Sequence, residues 1–360
     1  MLLLGAHVLV WLAVLAFHPA DVLSDDVARF VQVAGAPGVP YRDVPVEYMP
    51  LETGLIRLIL DVPLNDAAVR VAIISVVGDV LAFLLVRSLA GDIAGRWYLA
   101  LALPLQVFML FRLDMVAVVL VLTSIWLARS QRRTGAGVLF ASALLFKVWP
   151  IVLLPLLWRR AGRRGTAVAG ALAAAGVLLW MVVGGVDAPG QVAGFRGATG
   201  WHLESTVGAF ASVLGDTPAR FELGTMRVGT MADEALWALR IATVIAVVVV
   251  WWRSARRSDA VPEGLPSASA IAILIAFAPV ASAQYLAWIV PWSAVAAAER
   301  PRRVATGAMF LAGVLAASSF LIYWEIAGGI RELEVISLVR ALCVLAIPVA
   351  WLLERPATVR

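Results

Sequence analysis

An all-α polytopic membrane protein is the fold class this chain predicts, and three observations predict it. Hydrophobic residues make up 62% of its 360 positions and mean hydropathy is +0.91, far above the roughly 45–50% apolar content of soluble domains. The apolar residues fall in long runs at 2–17, 67–90, 166–184, 236–252, 304–323 and 335–353, with shorter ones at 97–111, 113–128, 137–147, 150–158, 266–281 and 284–298. Basic residues cluster in the gaps, as they do in cytoplasmic loops. Since a helix crosses a bilayer with roughly 17–25 residues, the pattern reads as a bundle of about 10–12 membrane helices, several of them short or paired as hairpins. It forms one integral membrane domain over 1–360, with long outer loops at 18–66 and 185–235.

Taken in order, Met1 to Phe17 lacks the basic start and the small-x-small cleavage site of a signal peptide, so it reads as a retained first helix. The basic clusters are Arg129, Arg132 and Arg133; Arg159, Arg160, Arg163 and Arg164; Arg253, Arg256 and Arg257; Arg300, Arg302 and Arg303; and Arg355 and Arg360. With all of these and both termini on the cytoplasmic side, each pair of short runs between them goes out and comes back. Their turns, at FRLD (Phe111 to Asp114), KVWP (Lys147 to Pro150) and SAQY (Ser282 to Tyr285), then share the outer face with the two long loops. Helices too short to cross fully leave an indented outer side, because broken helices are tolerated where they line a buried or watered cavity. The polar constellations are expected to meet in that cavity.

Charge and composition also exclude. The formal charge of +5 and pI near 10.0 come from short clusters between apolar runs, which argues against a nucleic-acid partner. Cys343 is the only cysteine, so the chain offers neither an intrachain disulfide nor a thiol metal site. Heavy use of Ala, Val, Leu and Arg with Lys147 as the sole lysine fits a GC-rich bacterial genome, and so a bacterial plasma membrane.

The loop 18–66 holds the densest chemistry. Asp25 and Asp26 in SDDVARF (Ser24 to Phe30) are candidates for a general base that takes a proton from an attacking hydroxyl. The plainer reading makes them solvated acids at a helix start. Asp26 is preferred because Val27 and Phe30 set an apolar face behind it. In PYRDVPVEYMP (Pro40 to Pro50) three prolines fix the backbone. Arg42 there is suited to a phosphate, Tyr41 and Tyr48 to a sugar ring, and Asp43 and Glu47 are reserve bases; the alternative is a rigid surface loop.

Arg112 and Asp114 sit between apolar runs where an ion costs roughly 2.5–3.5 kcal/mol near the midplane. Either they pair with each other, or Arg112 faces a phosphate. Lys147 stands alone among Leu144, Leu145, Phe146, Val148, Trp149 and Pro150. It either snorkels to the interface or neutralises an anion in the cavity, and the second is preferred. His202 and Glu204 of GWHLEST (Gly200 to Thr206) suit phosphate or acceptor binding better than zinc, for which a third ligand is lacking. Gln284, Tyr285 and Trp288 read as the lining of a sugar or headgroup pocket, or as an interfacial aromatic belt.

These pieces in this order resemble the C-type membrane glycosyltransferases, and most of all glycosyltransferase family 87, the bacterial polyprenyl-phosphate-sugar-dependent mannosyltransferases. The resemblance rests on SDDVARF, PYRDVPVEYMP, FKVWP with the LLPLL that follows, WHLES, and SAQYLAWIVPW from Ser282 to Trp292. It covers residues from about 20 to 292. Against the family pattern, Met49 stands where a second proline is usual, Trp149 where tyrosine is common, Ala283 where proline often precedes the glutamine, and Thr199 where an arginine often precedes the glycine. The last departure weakens a phosphate contact from that loop, which Arg196 would restore.

The resemblance implies a catalytic acid in the first outer loop, on Asp25 or Asp26, and a polyprenyl phosphate as sugar carrier. Arg42, Arg112, Lys147 and His202 would then hold the donor phosphate. Tyr41, Asp43, Glu47, Tyr48, Asp114, Trp149, Glu204, Gln284, Tyr285 and Trp288 would line the sugar or acceptor site. The activity expected is inverting transfer of a sugar, mannose foremost, onto an envelope glycan or glycolipid at the outer face. No cofactor is required; a divalent ion bridging Asp25 or Asp26 to the phosphate is compatible with it. The rival is a transporter or flippase for lipid-linked sugars, disfavoured because no internal repeat is visible.

Overall fold

A computed structural model describes residues 2–16, 24–194, 198–215, 218–222, 225–256, 263–299, 303–325 and 330–353. The side chains of Asp25, Arg303 and Glu325, and all of Arg196, Arg257, Arg300, Arg302, Arg355 and Arg360, lie outside the described residues. Helix α1 (Leu2–Ala16) is followed by α2 (Ser24–Gly35), α3 (Pro50–Ile59) and the long α4 (Leu64–Ala102). A short α5 (Gln106–Met109) leads to α6 (Asp114–Arg129), α7 (Arg133–Phe146), α8 (Leu154–Gly184) and α9 (Ala188–Ala193). The middle of the chain adds β1 (Trp201–His202), α10 (Thr206–Leu214), β2 (Arg220–Glu222) and β3 (Thr225–Val228). The last third is α11 (Asp233–Ala255), α12 (Gly264–Ala276), α13 (Leu286–Glu299), α14 (Arg303–Glu325) and α15 (Ile330–Leu353).

By length and composition, four segments can cross a membrane: Leu64–Met109, Trp149–Gly184, Asp233–Ala255 and Arg331–Leu353. Shorter apolar helices cover Leu3–Ala13, Arg133–Phe146, Gly264–Ala276 and Val304–Ser318. Two of the longest helices are interrupted where a glycine leaves helical geometry, at Gly91 (φ 86°) in α4 and Gly162 (φ 64°) in α8. These are the gaps that separate apolar run 67–90 from 97–111 and run 150–158 from 166–184. The stretch 185–235, expected as a long outer loop, has structure of its own. It carries a small antiparallel sheet of order β1-β3-β2, with Trp201 opposite Val228 and Phe221 opposite Met226.

Backbone contacts divide the chain into two units. The first holds Leu9–Leu85 and Val107–Ala198. In it α6 and α7 form an antiparallel hairpin of 16 and 14 residues, about 24 and 21 Å at 1.5 Å per residue, against about 30 Å of hydrocarbon. Both are thus short, as the apolar runs 113–128 and 137–147 led one to expect, although the hairpin joins them across the Arg129–Arg133 cluster and not through the FRLD or KVWP turn. The chain reverses at Gly162, and the second stretch of α8 then runs parallel to α7: Gly165 lies against Arg133, Ala169 against Gly137 and Gly176 against Leu145. Helix α2 is amphipathic; Val27, Phe30 and Val33 are buried. The Arg57 guanidinium of α3 ties down its end by donating to the Ala36 and Gly38 carbonyls.

The second unit holds Met1–Val8, Val86–Gln106 and Thr199–Arg360. Helix α14 packs on α15, and α12 packs on α11, α13 and α15. The Glu299 carboxylate accepts the amides of Glu263 and Gly264 at 3.0 and 3.2 Å, capping α12. His7 is buried in an apolar helix, its ring nitrogens satisfied by the Leu99 carbonyl at 2.7 Å and the Gln106 amide at 3.1 Å.

Candidate active site

The first unit gathers the charged residues that the apolar pattern isolates. Because α6 and α7 are antiparallel, the FRLD turn before α6 and the KVWP turn after α7 fall at the same end of the hairpin. Lys147 Nζ accordingly lies 3.9 Å from Asp114 Oδ1 and 2.8 Å from Glu52 Oε1. Helix α2 brings Asp26 into an ion pair with Arg112. The Arg112 carbonyl accepts the Ser75 hydroxyl of α4 at 2.5 Å, and Asp79, one turn further along α4, is buried.

Exposure grades across the cluster. The Asp26 and Arg112 side chains are 31% and 27% exposed and Lys147 20%, whereas Asp114 and Glu52 are 6% and 1% exposed. The Asp26–Arg112 pair is thus the most open part of the cluster, and two buried carboxylates hold the Lys147 ammonium. Burial drives the Glu52 carboxyl up to about 7; Lys147 opposes the shift and Asp114 adds to it. Among the described residues no three His, Cys, Asp or Glu side chains gather to hold a metal.

The proline-rich loop plays a different part from the one expected. Tyr41 is buried, adopts φ 70°, and sets its ring edge-on to Trp180 at 5.1 Å. Its hydroxyl donates to the Tyr48 carbonyl and meets Thr53 Oγ1, each at 2.7 Å, and burial pushes the phenol well above its ordinary range. It fixes the loop rather than presenting a sugar platform. Tyr48 packs edge-on against Phe30 at 5.3 Å. Glu47 takes two guanidinium hydrogen bonds from Arg29, at 3.0 and 2.8 Å, so it clamps the loop to α2 instead of serving as a reserve base. Asp43 accepts the Val39 amide at 2.8 Å, which together with Arg42 holds its carboxyl below the usual range and makes it a poor base. Arg42 is exposed and lies 3.3 Å from Asp43. Trp149 is 1% exposed, which leaves no face for a sugar.

His202, Glu204, Gln284, Tyr285 and Trp288 belong to the second unit. His202 is buried; its Nδ1 accepts the Glu204 amide at 3.2 Å, so the neutral ring carries its proton on Nε2, 2.6 Å from Thr225 Oγ1. Burial lowers its pKa to about 4. It is a neutral ring with both nitrogens engaged inside the protein, which leaves it no N–H for the donor phosphate it was expected to hold. Glu204 is occupied too: Arg340 of α15 donates to its carboxylate at 2.7 Å and to its carbonyl at 3.3 Å. Tyr285 and Trp288 stack on each other with centroids 4.2 Å apart, and Gln284 Oε1 accepts the Ser282 hydroxyl at 2.5 Å.

Sequence reasoning missed Glu52, Arg29, Asp79 and Arg340. The last two carried a usable signal: Arg340 is the single charge of run 335–353 and Asp79 the single acid of run 67–90, much the same reason that picked out Lys147. Glu52 carried none, because PLETGLIRLI reads as the tail of a polar loop.

Fold and site together define a helical membrane protein with a carboxylate and cation cluster at one end of a short helical hairpin. No protein-family model, curated protein or solved structure matches the chain.

Proposed function

We propose that the protein is a C-type membrane glycosyltransferase of bacteria, a multi-pass protein of the plasma membrane with about 10–12 membrane helices and cytoplasmic termini. It moves a sugar, mannose foremost, from a polyprenyl phosphate to an envelope glycan or glycolipid on the outer face. The observation that carries this reading is the Asp26–Arg112 pair, partly exposed, with Lys147 at the same end of the hairpin.

In the proposed reaction the Asp26 carboxylate takes the proton of the acceptor hydroxyl while that oxygen forms its bond to the anomeric carbon. The bond from that carbon to the phosphate oxygen breaks, and polyprenyl phosphate leaves with the electron pair. Attack and departure on opposite faces invert the anomeric centre. Arg112 and Lys147 supply positive charge where the leaving phosphate gains negative charge. Asp114 and Glu52 position Lys147.

Sugar transfer by the purified protein with radiolabelled polyprenyl-phosphate mannose and an envelope-glycan acceptor tests the reading. Asp26→Asn is expected to lose at least about a hundredfold in rate, the scale of general base catalysis, with donor binding retained. No transfer by the wild type with mannose or arabinose donors, together with movement of the labelled lipid across proteoliposomes, would replace the enzyme by the flippase.

A further inference from the structure

The opposite end of the same hairpin carries a second charged feature, and no part of the proposed reaction uses it. A cavity of about 540 Å³ is lined by Gln131, Arg132, Arg133, Thr134, Gly135 and Arg164. Three guanidiniums from two separate segments therefore face one space, and none of the residues lining it is acidic. The Arg133 guanidinium donates to Gln131 Oε1 at 3.0 Å, a neutral partner that leaves its charge uncompensated.

The backbone contributes as well. Helix α7 begins at Arg133, and the side chain of its N-cap residue Arg132 makes no capping hydrogen bond. The amides of Arg133, Thr134 and Gly135, the first turn of that helix, belong to residues that line the cavity. Such a turn carries unsatisfied N–H groups and the positive end of the helix dipole.

Close packing builds the arrangement. A Cβ on Gly137 would come within 2.3 Å of the Gly165 carbonyl oxygen, and one on Gly165 within 2.9 Å of the Arg133 carbonyl oxygen. Bare glycines let α7 and α8 approach backbone to backbone, which is what carries Arg164 to Arg132 and Arg133. The place along the chain is equally specific. Beyond Arg164 the remainder of α8 is a 20-residue stretch, Gly165 to Gly184, without a charge, about 30 Å of helix and so about one hydrocarbon thickness. The cavity thus stands where that apolar stretch starts, at the level of lipid headgroups.

We propose that this cavity is a phosphate-binding site for the headgroup of an anionic phospholipid. Guanidinium forks and helix N-terminal amides both match phosphate oxygens, and basic pockets between membrane helices hold such headgroups. The site is separate from the Asp26 cluster, so it stands or falls independently of the glycosyltransferase reading.

Native mass spectrometry of the full-length protein, released from nanodiscs containing equal phosphatidylglycerol and phosphatidylcholine, tests it. Wild type and Asp26→Asn are expected to retain phosphatidylglycerol preferentially. Arg132→Gln and Arg164→Gln are each expected to weaken retention roughly tenfold, equivalent to about 1.4 kcal/mol. Arg256→Gln, which removes an arginine stacked on Trp252 that is not among the residues lining the cavity, is expected to leave it unchanged. Arg164→Lys should fall between, because an ammonium keeps the charge without the fork. Inorganic phosphate provides the second arm: displacement of the lipid by millimolar phosphate in wild type would keep the phosphate site and make its natural ligand a soluble phosphate. Equal retention of the two lipids, or equal loss in all three Gln variants, would overturn the proposal.

Discussion

At Glu52 burial and charge act in opposite directions. Withdrawal from water raises its carboxyl to about 7 although Lys147 lies 2.8 Å away. The folded chain therefore holds a proton that the unfolded chain releases at an ordinary glutamate pKa, and stability falls as pH rises from about 4.5 towards 7. Glu52→Gln should remove that decline from a pH series of thermal midpoints measured in detergent. His202 acts with the opposite sign. Its pKa is lowered to about 4, so its contribution is present above about 6.5 and is lost as pH falls towards 4; His202→Asn should flatten the acid limb alone. Lys147→Met should cost about 3–5 kcal/mol above pH 7, where it leaves buried carboxylates unpaired, and adding Glu52→Gln should recover much of that loss. A double-mutant cycle of unfolding midpoints reads this coupling.

Helix ends explain the next scale. Helix α6 stops with the Arg132 amide on the Leu127 carbonyl at 2.9 Å and the Gln131 amide on the Ala128 carbonyl at 3.1 Å, the hydrogen-bond pattern of a Schellman turn. That turn needs a left-handed residue, and here it is Gln131 at φ 58°. Gln131→Gly should raise stability by up to about 1 kcal/mol, since a side chain in this region costs about 1–2 kcal/mol and glycine returns part of it to the unfolded chain. The same physics reverses at the turn inside α8. Gly162→Ala should destabilise by about 1–2 kcal/mol, because φ 64° there is adopted without penalty by glycine alone. Thermal midpoints of the two variants should move in opposite directions.

For the whole molecule the testable quantity is orientation. Arg42 is 62% exposed at the Tyr41 end of the first unit, and Arg163, also exposed, sits at the other end of α8's second stretch. In a Cys343→Ala background, Arg42→Cys should react with an impermeant maleimide on intact cells, and Arg163→Cys only after permeabilisation. The reverse result would place the Asp26 cluster on the cytoplasmic side and remove the outer-face reading.

Local chemistry was enough for the sequence to determine the helical class, the apolar runs, the gap between runs 150–158 and 166–184 and the isolation of Lys147. Each depends on residues near one another in the chain: an apolar stretch must satisfy its own backbone hydrogen bonds in helix, and a charge inside it stands out at once. Tertiary structure alone decided which charge meets which. Asp26 and Arg112, Glu52 and Lys147, and Glu204 and Arg340 are distant in sequence. Their pairing follows from helix packing, which a composition pattern does not encode. The same packing turned Tyr41, Glu47, Trp149 and His202 from expected ligand contacts into supports of the fold. A buried polar side chain must satisfy its hydrogen bonds within the protein, and those four spend theirs, or their apolar faces, on neighbours that only the folded chain brings within reach.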